Sequence, residues 1–186
     1  MKFFVRDEKT VFNDHYKVVK AQVTYETFNG GEITTKRLAF ERGDSAAILL
    51  LEKETNSLLL TNQFRYPTCK HNVGWLLEIP AGTIEENESP QQCVIKEVKE
   101  ELGYSIVNPE HISTFYVSPG GATERVFLFY KEVSEMDKTE KGGGNESENE
   151  DIETVKISIS ELANKIDTLR DAKTILAIQW FLLNKK

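Results

Sequence analysis

Cysteine and histidine are scarce in this chain of 186 residues, which contains two cysteines and three histidines. Cys69 and Cys93 form no CxxC pair, and the histidines do not cluster beside them. The sequence therefore predicts neither a disulfide framework nor a structural zinc site. Because such cysteine usage is typical of reducing compartments, we expect a cytoplasmic protein.

Long hydrophobic runs are also missing. The first ten residues, MKFFVRDEKT, lack the apolar stretch of a signal peptide. The most apolar later segment, at 175–183, is too short to span a bilayer and contains Gln179. We therefore expect no membrane segment.

Positive charge is in deficit, since 23 basic residues face 30 acidic ones and the formal net charge is −7. This balance argues against an electrostatic grip on a nucleic acid backbone. A protein of this charge that acted on phosphate compounds would need a few local cations or bound metal ions.

Apolar patterning predicts a mixed α/β or α+β sandwich, because strands and helices follow one another in irregular order. Strands are predicted at 16–26, 33–40, 46–53, 58–66, 75–79, 113–117, 125–132 and 153–157, and helices at 90–102, from 158 or 160 to 166, and at 171–184. We place an N-terminal antiparallel β subdomain at 1–43 and the main domain at 44–186. The polar segment 138–151, which contains three consecutive glycines, is predicted to be a mobile loop.

The helix at 90–102 has the clearest boundaries. Ser89 is a suitable N-cap, Pro90 suits the first helical position, and Gln92 completes a capping box. Gly103 is placed to end the helix.

This helix has two faces at 100° per residue. One face is apolar and can pack on a sheet; it consists of Val94, Ile95, Val98 and Leu102. The adjoining face carries Glu97, Glu100 and Glu101, whose charges repel one another unless a cation compensates them. Hard oxygen ligands of this kind suit Mg²⁺ or Mn²⁺. On helix composition alone, a solvated acidic face is the preferred explanation, because glutamates are common on helix surfaces.

The spacing around the helix decides between these two readings. Gly82 is followed after five residues by Glu88, and seven further residues lead to the segment KEVKEELGY at 96–104. This pattern resembles the Nudix box: Gly, five spacers, Glu, seven spacers, then Arg-Glu-apolar-x-Glu-Glu-x-Gly-apolar. Lys96 departs from the arginine of the pattern, and it can offer a neighbouring carboxylate only a compact single charge.

The resemblance implies a Nudix-type α/β/α sandwich with a mixed sheet and metal-dependent hydrolysis of a pyrophosphate bond. It implies Mg²⁺ as the cofactor, with Mn²⁺ as a substitute, held by Glu97, Glu100, Glu101 and the Ala81 carbonyl. A glutamate in the acidic loop would act as general base and further ligand. We favour Glu150, with Glu148 second and Glu146 still open, and a solubilising acidic run is the alternative for each.

Further segments resemble the nucleotide-sugar branch of this family, namely Lys36-Arg37, Gln63-Phe64-Arg65, the stretch at 78–82, the stretch SPGGATE at 118–124 and RDAKT at 170–174. The favoured substrate is GDP-mannose, and ADP-ribose or an ADP-sugar is the alternative. Resemblance assigns substrate binding to Tyr16, Lys36, Arg37, Arg65, Glu124 and Lys173. It also implies a homodimer. A non-catalytic nucleotide-sugar sensor and a hydrolase of damaged nucleoside triphosphates are the competing functions.

Overall fold

The computed structural model describes residues 1–185, without the side chain of Glu146. The chain forms two compact units. The first comprises Met1–Asp44 and Tyr116–Arg125, and the second comprises Ser45–Phe115 and the chain from Val126 onward.

A seven-stranded mixed sheet forms the centre of the second unit. Its strands are β4 (Ser45–Glu52), β5 (Ser57–Phe64), β6 (Trp75–Glu78), β7 (Ala81–Thr83), β8 (Glu110–Tyr116), β9 (Arg125–Val133) and β10 (Glu153–Ser158). The main order is β10-β5-β4-β9-β8, with β6 paired to β5 and β7 paired to β4. β4 runs parallel to β9 and antiparallel to β5. The short strand β7 is absent from our sequence prediction because three residues after a proline carry too little pattern.

Helices lie on both faces of this sheet, because the continuous apolar strands β4 and β5 present alternate residues to opposite sides. Leu49, Leu58 and Leu60 pack against the helices α2 (Ile159–Lys165) and α3 (Ala172–Asn184). Ile48, Leu50 and Leu59 pack on the other side against α1 (Pro90–Glu97) and the turn that follows it. The predicted α/β/α sandwich is thereby confirmed.

The helix predicted at 90–102 changes geometry partway. Ser89 and Gln92 form the expected capping box, and the α-helical part ends at Glu97. Val98–Leu102 then forms a wider π-helical turn, closed by Gly103 in the left-handed conformation at φ 79°. Val98 and Leu102 are fully buried, and burial of each such side chain stabilises the fold by about 1.5–3 kcal/mol. Single π-helical turns are frequent at functional sites.

The first unit contains a three-stranded antiparallel sheet of β1 (Phe3–Asn13), β2 (Lys17–Glu26) and β3 (Glu32–Glu41), in that order. β2 and β3 match the predicted strands, whereas β1 was not predicted. Its pairing with β2 shifts register between Arg6 and Lys9, and Asp7 has a φ of 51°. This irregularity interrupts the alternation by which a strand is recognised in sequence.

No helix within residues 1–185 is long and apolar enough to cross a membrane.

Candidate active site

Gly82 and Glu97 bring β7 and α1 into contact. Glu97 is buried, and a Cβ atom on residue 82 would overlap its carboxyl group. Ala81 and Gly82 pair with Ala47 and Ala46 of β4, which fixes their backbone at the edge of the sheet. The first glycine of the box is therefore needed because the carboxylate occupies the space of a side chain.

Glu101 is the most deeply buried of the predicted ligands, with 2% of its surface exposed. Its Oε2 atom is buried and has no hydrogen-bond partner within the described residues. Burial raises the pKa of this carboxyl well above its ordinary value, and the charges of Glu97 and Glu150 raise it further. A buried carboxylate oxygen without a donor is costly unless a cation approaches it.

Glu97 and Glu100 share this environment. Burial raises the pKa of Glu97 to about 7; Lys96 opposes this, while Glu100, Glu150 and Glu148 add to it. The pKa of Glu100 is also raised, first by burial and then by Glu148 and Glu150. The charges of Glu100 and Glu150 thus act on Glu97, and those of Glu97 and Glu150 act on Glu101. The sequence predicted such repulsion among the helix glutamates.

These residues fit a divalent cation in their chemistry. The donors are hard oxygens, and the unpartnered Oε2 of Glu101 is of the kind that a cation would satisfy. No three Asp, Glu, His or Cys side chains within residues 1–185 already stand together in a way that could hold a metal ion.

Lys96, which replaces the arginine of the box, is shared among three carboxylates. Its Nζ atom lies 2.8 Å from Glu85 Oε1, 3.8 Å from Glu97 Oε1 and 3.9 Å from Glu88 Oε1. Burial alone would lower the pKa of Lys96, but the hydrogen bond to Glu85 and the three negative charges raise it. Lys96 therefore holds Glu97 only by a long ion pair.

The glycine-rich loop is attached to the end of the same helix. Gly143 N donates to Glu101 O at 2.9 Å, and Gly144 N donates to Glu100 O at 3.1 Å. A Cβ atom on Gly142 would lie 2.7 Å from Glu101 O. The first part of the segment predicted to be mobile is thus hydrogen-bonded to the turn that carries the glutamates.

The acidic part of this loop begins at Asn145. Glu150 is partly buried, and its Oε2 accepts a hydrogen bond from Asn145 N at 3.1 Å. Glu148 is exposed and accepts from Asn145 Nδ2 at 3.1 Å. The side chain of Glu146, the third candidate, lies outside what the structure describes.

Arg65 and Lys173 both bind the carboxylate of Glu78, a residue that the sequence did not identify as part of the site. Glu78 accepts hydrogen bonds from Arg65 Nε at 2.9 Å, from Arg65 Nη2 at 3.2 Å and from Lys173 Nζ at 2.6 Å. The charge of Arg65 also acts on Glu101. The available signal was a charged residue at the end of the apolar strand β6, but nothing in the sequence identified its partners.

The remaining predicted substrate residues belong to the first unit. Tyr16 and Glu124 both lie beside Arg42, whose guanidinium carbon is 5.5 Å from the centre of the Tyr16 ring and whose Nη1 is 3.8 Å from Glu124 Oε2. Lys36 and Arg37 lie exposed on β3. Sequence reasoning did not single out Arg42, whose Nε atom is buried without a hydrogen-bond partner within the described residues.

Comparison with known families agrees with this geometry. The family model described as the NUDIX domain matches residues 41–178. The chain belongs to the Nudix family, and it is a hydrolase of that family.

Within this family, the chain is similar to several individual proteins along most of its length. The chain is 37% identical over 177 residues to a GDP-mannose pyrophosphatase of Pectobacterium atrosepticum, covering 92% of this chain and 90% of the relative. It is 37% identical over 175 residues to a GDP-mannose pyrophosphatase of Cronobacter sakazakii, covering 91% and 90%. A GDP-mannose pyrophosphatase of Citrobacter koseri is 35% identical over 176 residues, with the same coverage.

Proposed function

We propose that this protein hydrolyses the pyrophosphate bond of a nucleotide sugar, with GDP-mannose as the favoured substrate. The products are a nucleoside monophosphate and a sugar 1-phosphate. The observation that carries the proposal is the buried, unpartnered Oε2 of Glu101 within a cluster of glutamates whose pKa values are raised. The similarity to GDP-mannose pyrophosphatases over about nine-tenths of the chain supports the choice of substrate.

Glu97, Glu100, Glu101, Glu150 and the carbonyl of Ala81 are the groups that would hold Mg²⁺, with Mn²⁺ as a substitute. When bound, such an ion neutralises charge on the diphosphate and lowers the pKa of a coordinated water. The three box glutamates come from two adjacent helical turns, so one surface presents all of them.

The protein's own groups account for the remaining steps. Arg65 and Lys173 bind phosphate oxygens, where the planar guanidinium and the ammonium compensate negative charge. Glu150 accepts a proton from the attacking water. The water oxygen forms a bond to one phosphorus while the bond from that phosphorus to the bridging oxygen breaks. The bridging oxygen leaves with the other phosphate.

In the first unit, Tyr16, Lys36, Arg37 and Glu124 are the candidates for binding the nucleotide sugar. The segment 1–43 is proposed as an arm for homodimer formation. Its sheet exposes several large apolar side chains, as dimer contacts require; these are Phe3, Phe4, Val5, Val11 and Phe12.

The partner is a small molecule rather than a nucleic acid, given the net charge of −7. A cytoplasmic location is proposed because Cys69 and Cys93 are both free thiols.

A substrate panel tests the proposal. Purified protein is incubated with GDP-mannose, ADP-ribose, ADP-glucose or GTP, with Mg²⁺, with Mn²⁺ and with a chelator. We expect metal-dependent release of GMP and mannose 1-phosphate from GDP-mannose, at a higher rate than the hydrolysis of the other three compounds. A higher rate with ADP-ribose would change the substrate, and the absence of metal-dependent turnover of any diphosphate would overturn the reaction. Phosphorus NMR in ¹⁸O-labelled water identifies the phosphorus that is attacked.

A further inference from the structure

Glu78 is a buried glutamate to which the proposed reaction assigns no role. It ends β6, and 4% of its side-chain surface is exposed. Arg65 Nε and Nη2 donate to its two carboxylate oxygens at 2.9 and 3.2 Å, so the pair is bidentate. Lys173 Nζ donates to Oε2 at 2.6 Å. One carboxylate thus holds two cations that come from positions 13 residues before it and 95 residues after it.

The start of α3 is tied to the same place. Asp171 caps this helix by accepting hydrogen bonds from Thr174 N at 2.9 Å and from Thr174 Oγ1 at 2.6 Å, and its Oδ1 lies 3.1 Å from Lys173 Nζ. Thr174 Oγ1 in turn accepts a hydrogen bond from Ile79 N at 2.8 Å. Lys173 is therefore fixed both by its own helix end and by β6.

The charges in this cluster balance. Arg65 and Lys173 would repel each other if no anion lay between them, and Glu78 and Asp171 supply two negative charges. Burial alone would raise the pKa of Glu78, but the positive charge of Lys173 and the hydrogen bonds from Arg65 lower it. Glu78 is therefore an ionised carboxylate at neutral pH, and its charge permits the two cations to share one place.

Of the two cations, Arg65 is the more accessible to a ligand. Arg65 has 39% of its side-chain surface exposed. Glu78 engages its Nε and Nη2, and within residues 1–185 no hydrogen bond occupies Nη1. The chain continues from Glu78 through Ile79 and Pro80 to Ala81 and Gly82, which contact the box helix. Only two residues, Ile79 and Pro80, thus separate Glu78 from the strand β7, whose Gly82 packs on Glu97.

We propose that Glu78 is a positioning residue for pyrophosphate hydrolysis: it holds the Arg65 guanidinium and the Lys173 ammonium at a fixed spacing against the diphosphate. This inference rests on the proposed function. The competing explanation is that Glu78 only joins β5, β6 and α3 and contributes to stability. The two explanations differ in their kinetic consequences.

The test is the variant Glu78→Gln, with Glu52→Gln as the matched control. Glu52 is also a buried glutamate in an ion pair, with Lys156, but it contacts neither Arg65 nor Lys173. Removing the negative charge of Glu78 strengthens ground-state attraction of an anion, so KM for GDP-mannose stays constant or falls. Loss of the fixed cation spacing lowers kcat, by about 30-fold, since small misplacements are costly in a transition state. We expect Glu52→Gln to keep both constants within about twofold of wild type.

A double-mutant cycle tests whether Glu78 acts on catalysis through the cations that it binds. If Glu78 acts through the two cations, the kcat loss of the double variant Arg65→Gln/Glu78→Gln is clearly smaller than the product of the two single losses, because part of the effect of Glu78 is already lost with Arg65. Losses that multiply would overturn the proposal. An unchanged kcat in Glu78→Gln, with a loss of thermal stability similar to that of Glu52→Gln, would do the same.

Two further measurements complete the test. If Glu78→Gln fails to fold by circular dichroism, Glu78→Asp replaces it. That variant keeps the buried charge but shortens the side chain, and wild-type kcat in folded Glu78→Asp would overturn the proposal. Calorimetry in the presence of chelator measures the affinity of each protein for inorganic pyrophosphate. This affinity reflects anion binding by Arg65 and Lys173 independently of turnover, and the proposal requires it to be unchanged or tighter in Glu78→Gln. Turnover by wild type tests the proposed function, whereas the ratios between variants test Glu78.

Discussion

The carboxyl group of Glu97 occupies the space that a Cβ atom on residue 82 would need. Two positions 15 residues apart in the box are therefore a single packing unit. The absence of a side chain at one position is the condition for the placement of a carboxylate at the other.

This relationship predicts that Gly82→Ala displaces Glu97. We expect the rate of GDP-mannose hydrolysis to fall by about 100-fold, and the free energy of unfolding to fall by about 1–3 kcal/mol as the crowded side chain moves. Initial rates and urea denaturation measure the two effects. Gly120→Ala is the control, since a Cβ atom on Gly120 meets nothing within 4 Å. Wild-type turnover in Gly82→Ala would contradict the importance of this contact.

Removal of the Glu101 charge is expected to separate activity from stability. Its Oε2 is buried without a partner, and burial raises its pKa, so the ionised carboxyl destabilises the folded state in the absence of metal. We expect Glu101→Gln to be more stable than wild type in chelator by about 1–2 kcal/mol. The difference should grow as pH rises, because a raised folded-state pKa means that stability is lost on deprotonation.

Turnover by the same variant should fall by more than about 100-fold, because one hard oxygen ligand is lost. Urea denaturation at several pH values and steady-state rates give both results. If Glu101→Gln were less stable than wild type, or if it kept wild-type rates, Glu101 would not be the unpaired buried carboxylate that binds the metal ion.

Lys96 should support activity by charge rather than by geometry. Its Nζ lies 3.8 Å from Glu97 and 2.8 Å from Glu85. We expect Lys96→Met to lower turnover by about 10-fold, since the neighbouring carboxylates lose their compensating charge. Lys96→Arg should retain turnover or raise it by up to about threefold, because its fork can reach two carboxylates.

The control for Lys96 is Lys99→Met on the same helix. Lys99 is half exposed and pairs with Glu140, and such surface pairs contribute little. Equal losses in Lys96→Met and Lys99→Met would indicate a general effect of net charge.

Acid unfolding should depend on Glu52. Burial alone would raise the pKa of this carboxyl, but hydrogen bonds from Lys156, Thr55 and Tyr104 lower it to about 2. A lowered folded-state pKa stabilises the fold above the ordinary pKa, and this contribution is lost as pH falls from about 4.5 towards 2. A pKa change of this size corresponds to about 3 kcal/mol of stability.

Glu52→Gln should therefore be less stable than wild type at neutral pH by about that amount, and the two proteins should converge in acid. Urea denaturation from neutral to acid pH measures the convergence. A constant difference across the range would show that the ion pair does not determine the acid response.

The sequence was sufficient wherever the cause of the structure is local. The α1 helix follows from Ser89, Pro90 and Gln92, all within one turn. The spacing of Gly82 and Glu97 associated these two positions, and the structure brings them into contact; the metal-binding roles of Glu97 and Glu101 stay a prediction. The strand β1 was missed because its register is irregular, and the π-helical turn was missed because one widened turn leaves the side-chain order of a helix almost unchanged.

Long-range partners could not be predicted in this way. Glu78 meets Lys173 across 95 residues, and only the fold brings β6 and the start of α3 together. The sequence likewise placed Lys96 beside Glu97 but not beside Glu85, its nearest partner. Charged residues at the ends of apolar strands therefore need the tertiary structure before their partners can be assigned.

The glycine-rich segment limits the reach of the acidic loop. Ile152 N donates to Gly143 O at 3.0 Å, so both ends of the stretch 145–151 are pinned at one point beside the helix end. A chain of this length that returns to its origin extends no more than about 12 Å from its base. Ser147 and Glu148, at the tip of this stretch, can move over the greatest distance. Glu150 lies next to Ile152, where the stretch is held by its backbone hydrogen bond, and can move least. A base that must deliver the same geometry in every catalytic cycle is better placed at Glu150.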